Sequence, residues 1–189
     1  QKGGAGKTTS SVGVGEAMAM DGLDVVLIDS DPQGTARDYE AMAIYNEKPL
    51  KVRVVGMDRP VLDKSVPPMK EQIRIIDGAS KANELTISAI KAADIIIIPV
   101  EPSPLVMWGT SDLVDLIKMN MEAREGGKRP LKAFFLITQT TEGTILDGMA
   151  EEGLAGYGFP VLKTRLHDLD DYEKCALDGR TPMSAFPRG

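Results

Sequence analysis

A glycine-rich run directly before a predicted helix is the part of this sequence best suited to chemistry. It reads Gly3-Gly4-Ala5-Gly6-Lys7-Thr8-Thr9. Because these residues are small, successive backbone N–H groups can curl around phosphate oxygens, and a helix N-terminus favours negative charge. In such a loop Lys7 reaches the β- and γ-phosphates and the Thr8 hydroxyl binds Mg²⁺. The run therefore predicts that all seven residues contribute to a nucleoside triphosphate site with magnesium.

The detailed order of residues in this loop is characteristic of one family. The run departs from the general pattern of glycine, four residues and then Gly-Lys-Ser/Thr. Instead, KGGAGKTT from Lys2 to Thr9 resembles the deviant Walker A motif, KGGxGKT[ST], of the ParA/MinD family of partition and positioning ATPases. The resemblance implies that ATP is bound between two subunits. It also implies that Lys2 reaches the partner's phosphates and stabilises charge there, as an arginine finger does.

A pair of acidic residues follows the next predicted strand. The apolar run Val25–Ile28 ends at Asp29 and continues as Ser30-Asp31-Pro32-Gln33-Gly34. Two carboxylates two residues apart at a strand end can face one metal–water cluster. The run resembles the family's DxDPQG motif, which implies that Asp31 orients the attacking water and that Asp29 lies nearer the magnesium. The residues alone leave an alternative open, in which one of these acids caps the next helix.

Two later strand ends complete the expected site. Ile73–Ile76 is an apolar run that ends at Asp77, as in a Walker B strand whose terminal acid holds the magnesium shell. Phe134–Ile137 resembles the family strand whose end supplies contacts to the nucleobase. The resemblance therefore implies base contacts from Thr138 and Gln139, although the family often has Asn or Arg just after this strand.

These motifs lie on predicted helices and strands that alternate along the chain. Short apolar runs, above all Ile95–Val100, are typical of strands buried on both faces of a parallel sheet. The proline-rich segment Lys48–Met69 predicts an edge strand around Val52–Val55 with irregular connections. A short strand is expected at Val161–Leu162, and helices are expected over Thr8–Met20, Ala36–Asn46, Glu84–Ala93, Leu105–Met121, Ile145–Leu154 and Asp168–Leu177.

The alternation of elements predicts an α/β fold with a doubly wound, mostly parallel sheet covered by helices on both faces. The resemblance implies that this is the P-loop NTPase fold. The 189 residues are expected to form one P-loop ATPase domain, 1–189. Because a phosphate loop connects a strand to a helix, we expect about eight further residues, enough for that first strand, before Gln1. A final helix after Gly189 is also expected.

Composition limits the function further. The net charge is −6 and the isoelectric point is about 4.9, which argues against a chain that coats nucleic acid over its whole surface. The one cysteine, Cys175, excludes an internal disulfide and a cysteine-built zinc or iron–sulfur site within one chain. No apolar run has the length of a membrane span. We therefore expect a soluble, cytoplasmic protein without membrane association.

The resemblance implies an ATPase switch. ATP would join two subunits into a sandwich dimer that binds DNA non-specifically and so associates with the nucleoid. Hydrolysis would be accelerated by a partner, a ParB-like protein or centromere-binding adaptor, and would position a plasmid, chromosome region or other cargo. Basic residues could supply the DNA contacts or form an ordinary solvated face; they are Lys118, Arg124, Lys128, Arg129, Lys132, Lys163, Arg165 and Arg180.

Two alternatives remain open from the sequence. One is an ATP-dependent metabolic ligase or synthetase on the same scaffold, whose relatives usually lack a lysine equivalent to Lys2. The other is a MinD-like membrane-associated positioning ATPase, which requires a C-terminal amphipathic helix. Outside the motifs, we expect His167 to be a loop residue and Cys175 to be a packed residue of the last predicted helix.

Overall fold

The computed structural model describes residues 5–79, 83–103, 109–125, 127, 129–140, 145–167 and 170–185. The elements in chain order are α1 (Lys7–Met20), β1 (Val25–Asp29), α2 (Thr35–Tyr45), β2 (Arg53–Gly56), α3 (Leu62–Ser65), β3 (Ile73–Asp77), α4 (Glu84–Ala92), β4 (Ile95–Val100), α5 (Ser111–Glu122), β5 (Lys132–Thr140), α6 (Ile145–Ala155), β6 (Leu166–His167), α7 (Asp170–Leu177) and α8 (Pro182–Ala185).

The chain divides into two compact units. The first unit comprises Lys7–Ala79 and Leu169–Gly189, and the second comprises Gln1–Gly6 and Ser80–Asp168. Each unit contains a three-stranded sheet in which all strand pairs are parallel. The predicted α/β class with parallel strands is therefore confirmed.

The sheet of the first unit has the order β2-β1-β3. The central strand β1 is buried along its whole length, as its continuous apolar sequence predicted. Asp29 at its end is in register with Gly56 on β2 and with Asp77 on β3. The two acidic strand ends consequently meet at one edge of this sheet. The core around the sheet is formed by Val12, Val25, Leu27, Ala36, Val52 and Val54.

The connection between α7 and α8 packs against α2. The backbone at Gly179 approaches α2 so closely that a Cβ atom there would overlap with the backbone nitrogen of Ala43. The hydroxyl of Tyr39 donates a hydrogen bond to the carbonyl oxygen of Arg180. Cys175 on α7 is buried, in agreement with its expected packing role.

The sheet of the second unit has the order β4-β5-β6. Its core includes Ile98, Ile117, Phe135 and Leu154. The expectation that the isoleucine run of β4 is buried on both faces holds for its second half, residues 98–100, and is wrong for its first half, where Ile95 and Ile97 are 59% and 42% exposed. Side chains alternate along the strand, and Ile98 and Val100 lie on the face that reaches this core.

Several predicted boundaries needed correction. The edge strand around Val52–Val55 is confirmed as β2, but the short helices α3 and α8 were not predicted. Val161 makes only an isolated bridge to Phe135, and the strand that pairs with β5 on the side away from β4 is β6. Predicted helical residues 105–108 and 168–169 lie outside the described residues.

Candidate functional site

The glycine-rich loop leads directly into α1. Gly6 has a φ angle of +76°, a left-handed conformation that glycine adopts without the steric cost of a side chain. The neighbouring carbonyl oxygen of Ala5 accepts a hydrogen bond of 3.1 Å from the hydroxyl of Thr138 at the end of β5. Lys2, Gly3 and Gly4 lie outside the described residues.

The first turns of α1 meet the end of β3 through two hydroxyl groups. Thr8 Oγ1 donates to Asp77 Oδ2 over 2.7 Å, and Ser11 Oγ donates to Asp77 Oδ1 over 3.2 Å. Burial raises the pKa of Asp77, and the nearby Asp29 carboxylate raises it further, while the two hydroxyls and the Lys7 ammonium lower it. The arrangement joins the threonine of the phosphate loop to a buried acid that favours a nearby cation.

The Asp29 carboxylate is buried and organises the loop between β1 and α2. Its Oδ1 accepts from the Asp31 backbone N–H over 3.2 Å. Its Oδ2 accepts from the Arg37 backbone N–H over 3.0 Å and from Arg37 Nε over 3.3 Å. Gly34, which precedes the helix, makes no side-chain cap. Asp29 therefore caps α2, which is the alternative left open by the sequence.

Asp31 lies at the start of the same loop and is half-buried. Its Oδ1 accepts a 2.9 Å hydrogen bond from the backbone N–H of Gln33, and its carbonyl oxygen accepts one from the N–H of Gly34. These local bonds form an Asx-type turn. The adjacent Ser30 hydroxyl donates to the Asp77 carbonyl over 2.7 Å, so the loop is also attached to the end of β3.

The oxygen donors at this sheet edge fit a small divalent cation. Magnesium prefers hard oxygen ligands and is usually held by one or two carboxylates, with water and phosphate completing its shell. Thr8 and Asp77 supply such oxygens, and positive charge would offset the repulsion between Asp29 and Asp77. Within the described residues, no cluster of three or more His, Cys, Asp or Glu could hold a metal, so such an ion would need additional ligands.

The end of β5 carries the residues expected to contact a nucleobase. Thr138 is buried, and Gln139 has a φ angle of +55°, which is uncommon for a residue with a side chain. The expectation that His167 lies in a loop is wrong, because it belongs to β6 and forms a 2.9 Å hydrogen bond with the Thr140 hydroxyl. Thr140 and His167 thus join the ends of two parallel strands.

The arginines of the expected basic surface make specific intramolecular contacts. Arg124 caps α4 by donating to the carbonyl oxygens of Ile90 and Ala93. Arg129, Arg165 and Arg180 pair with Asp94, Glu151 and Asp178 respectively. In contrast, Lys118, Lys132 and Lys163 are exposed. None of the helices in the described part of the chain has both the length and the apolar character that a membrane span needs.

Sequence reasoning missed Arg37 as a residue of this site. Its guanidinium contacts the Asp29 carboxylate and the Asp31 carbonyl oxygen. The one signal in the sequence was its position three residues after Gly34, where a helical residue can turn back toward the preceding loop. No quoted family motif extends to this position.

Comparisons with known proteins agree with the predicted family. Residues 1–182 match the CobQ/CobB/MinD/ParA nucleotide binding domain. The chain is 27% identical to the maintenance of carboxysome distribution protein A of Halothiobacillus neapolitanus over 100% of this chain and 86% of that protein. It is also 27% identical to the sporulation initiation inhibitor protein Soj of Bacillus subtilis over 63% of this chain and 62% of Soj.

Similarity in three dimensions extends to a solved enzyme structure. Cobyrinic acid a,c-diamide synthase from Mycobacterium smegmatis, with bound ADP and magnesium, is 19% identical and has a TM-score of 0.72. The similarity covers 93% of this chain and 89% of the synthase, and it supports the expected P-loop fold. On the family match over residues 1–182, the chain belongs to the CobQ/CobB/MinD/ParA nucleotide-binding domain family.

Proposed function

We propose that this protein is a magnesium-dependent ATPase switch that positions a cellular cargo. The observation that carries the proposal is the hydrogen bond between Thr8 and Asp77, which places the phosphate-loop hydroxyl against a buried strand-end acid. This pairing fits a metal-bound nucleotide better than a glycine-rich turn of purely structural purpose. The glycine-rich loop amides and Lys7 would hold the phosphates of ATP.

The residues of the candidate site have different roles in the proposed reaction. Thr8 and Asp77 would hold Mg²⁺, which would supply positive charge against the transferring phosphoryl group. Asp31 orients a water molecule whose oxygen bonds to the γ-phosphorus as the bond to the ADP oxygen breaks. Lys2 acts from the partner subunit, and Thr138 and Gln139 contact the base. Asp29 was expected near the magnesium, and its contacts favour a role in shaping the Asp31 loop.

We propose that ATP binding forms a sandwich dimer that binds DNA non-specifically, with an activator protein accelerating hydrolysis. The similarity to a protein that maintains carboxysome distribution supports a positioning role. The chain spans 62% of Soj, so the activity of a whole relative is carried over as a proposal. Exposed lysines Lys118, Lys132 and Lys163 are the proposed DNA contacts, because the neighbouring arginines already have intramolecular partners.

Size-exclusion chromatography tests the switch directly. The protein is run with ADP and with a non-hydrolysable ATP analogue, each with and without non-specific DNA. We expect a dimer with the ATP analogue and retention of DNA by that dimer alone. A monomer in every condition would contradict the sandwich dimer, and a dimer without DNA retention would contradict the DNA role.

Phosphate release tests the chemistry and the proposed role of Lys2. Wild-type protein should release phosphate from MgATP without an added small substrate, whereas a ligase would need its acceptor. Lys2→Ala should bind nucleotide and lose hydrolysis, and Lys48→Ala, at an exposed lysine outside the proposed site, serves as the matched lysine control for hydrolysis. Full hydrolysis by Lys2→Ala would overturn the trans-lysine mechanism.

A further inference from the structure

Arg37 connects both acids of the β1–α2 loop. Its Nε donates to Asp29 Oδ2 over 3.3 Å, and its Nη2 donates to the Asp31 carbonyl oxygen over 3.4 Å. Its backbone N–H donates to the same Asp29 oxygen over 3.0 Å. Asp29 Oδ2 therefore receives two hydrogen bonds from one residue. The planar guanidinium suits such contacts because its donors have a fixed geometry.

The Arg37 side chain lies against two glycines from different segments. A Cβ atom at Gly34 would approach Arg37 Nη2 to 3.0 Å. A Cβ atom at Gly56, at the end of β2, would approach Arg37 Cδ to 3.0 Å and Nη1 to 3.1 Å. Both glycines consequently leave room for the side chain. Since the Arg37 side chain is 41% exposed, its polar contacts and this fit give it a defined position at the surface.

We propose that Arg37 is a positioning residue that holds the Asp31 loop in place for hydrolysis. It acts through Asp29, whose carboxylate is its counter-ion and is not a magnesium ligand. This inference rests on the proposed ATPase function and goes beyond it by separating the two acids. Asp31 touches the reacting water, whereas Asp29 and Arg37 fix the backbone that carries Asp31. Loss of the Arg37 side chain should therefore reduce turnover without reducing magnesium or nucleotide binding.

Steady-state kinetics at varied ATP and Mg²⁺ concentrations test this separation. Arg37→Gln should lower kcat at least about ten-fold, because misplacing a reacting group by ~1 Å can cost about a hundred-fold. The KM for ATP and the half-activating Mg²⁺ concentration should stay within about two-fold of wild type. Arg37→Lys keeps the positive charge but lacks the planar pair of donors. Its kcat should therefore lie between that of wild type and that of Arg37→Gln.

Two further substitutions separate positioning from loss of charge. Gly56→Ala retains Arg37 but crowds its side chain, so kcat should fall in the same direction. Arg53→Gln is the matched control, because Arg53 is also a partly exposed arginine paired with a single acid, Glu71. The control should keep the wild-type kcat.

The Asp29→Asn variant distinguishes a counter-ion from a metal ligand. We expect a reduced kcat and a rise of at most about ten-fold in the half-activating Mg²⁺ concentration, because the lost charge lies near Asp77 without binding the ion. If Asp29→Asn needs more than about ten-fold higher Mg²⁺ while Arg37→Gln does not, Asp29 is a metal ligand and the inference is wrong. Wild-type kcat in Arg37→Gln would also overturn it.

Hydrogen exchange in the nucleotide-free protein keeps the inference testable independently of activity. Arg37→Gln should accelerate amide exchange in the loop between Asp29 and α2, because two side-chain contacts to that loop are lost. Arg53→Gln should leave that exchange unchanged. Unaltered loop exchange in Arg37→Gln would contradict the positioning role. Absence of phosphate release by the wild-type protein, in contrast, would contradict the proposed ATPase function.

Discussion

Thr8 Oγ1 donates a 2.7 Å hydrogen bond to Asp77 Oδ2, which joins the first turn of α1 to the end of β3. The threonine hydroxyl retains lone pairs that a cation can use, since donation consumes only its proton. One hydroxyl can therefore position Asp77 and ligate a metal at the same time.

Replacing Thr8 by valine preserves the side-chain shape and removes the hydroxyl. We expect MgATP affinity to fall at least about ten-fold, with Thr8→Ser keeping most of it. Removing the donor also leaves a buried carboxylate oxygen short of a partner, which should lower the free energy of unfolding by about 1–3 kcal/mol. Calorimetric titration and urea unfolding measure the two effects, and equal affinity in the valine and serine variants would contradict the hydroxyl's proposed role.

Asp77→Asn should stabilise the nucleotide-free protein at neutral pH. Burial raises the pKa of Asp77, so the folded protein keeps this proton to a higher pH than the unfolded chain does. Stability is therefore lost as the pH rises from the unfolded pKa through the folded one, and it is regained in acid. Thermal melts without divalent cations should show the variant above wild type at neutral pH, with the difference narrowing in acid. MgATP should raise the melting temperature of wild type only.

Tyr39 gives a separate prediction at alkaline pH. Burial, with a smaller effect of Cys175, raises the pKa of Tyr39 from 10.0 to about 12. Between these values the unfolded chain loses the phenolic proton while the folded protein keeps it, so stability falls as the pH rises. Tyr39→Phe removes this loss but costs about 1 kcal/mol at neutral pH, because the bond to Arg180 disappears. Tyr45→Phe, at a residue that is 82% exposed, should keep the wild-type pH profile in denaturant unfolding.

Glu16 should be important for stability although it is a charged residue in the middle of a helix, α1. It is only 2% exposed, and its Oε2 accepts from the backbone N–H groups of Lys51 and Val52 over 2.8 and 3.1 Å. Glu16→Ala leaves both donors without this partner and should cost about 2–4 kcal/mol in unfolding free energy. Glu16→Gln retains an acceptor oxygen and should cost less. A loss in Glu16→Ala no larger than in Glu16→Gln would show that these hydrogen bonds contribute little.

Two glycines with positive φ angles separate backbone strain from steric overlap. Gly158 has a φ of +82° and open space around a Cβ atom, whereas Gly179 has a φ of +67° and lies against Ala43. Gly158→Ala should cost about 1–2 kcal/mol through the left-handed backbone alone. Gly179→Ala should cost clearly more, because the segment after α7 and the backbone of α2 would have to separate. Equal losses in chemical unfolding would disprove the close packing of Gly179.

The sequence predicted the elements whose signal is local. The apolar run of β1 and the helix after the glycine-rich loop were found nearly to the residue, because hydrophobic pattern and punctuation determine both. The two-residue strand β6 was missed, since Leu166 and His167 are extended only through pairing with β5. Val161 was assigned to a strand from its apolar sequence, although it makes only an isolated bridge. In both cases the extent of strand pairing depends on tertiary contacts that the local sequence does not show.

The residues of the candidate site also divide into those with a local sequence signal and those that depend on tertiary contacts. Residue type and spacing identified Thr8, Asp29 and Asp77 as candidates. The contacts that distinguish Asp29 from Asp77 depend on a helix side chain, Arg37, and on the register of two strands. Such contacts arise from tertiary packing, so no spacing within a single motif could have revealed them.

The outer side of the edge strand β2 is partly blocked against pairing with a strand of another molecule. Met57 N–H donates inward to Asp29, and N–H groups alternate in direction along a strand, so the N–H of Val54 points away from the sheet. This N–H donates a 3.1 Å hydrogen bond to the Glu40 carboxylate on α2. An incoming strand would have to displace a carboxylate, which disfavours the edge-to-edge aggregation that exposed strands invite. Glu40 is therefore a residue to retain in any variant of this protein that must stay soluble.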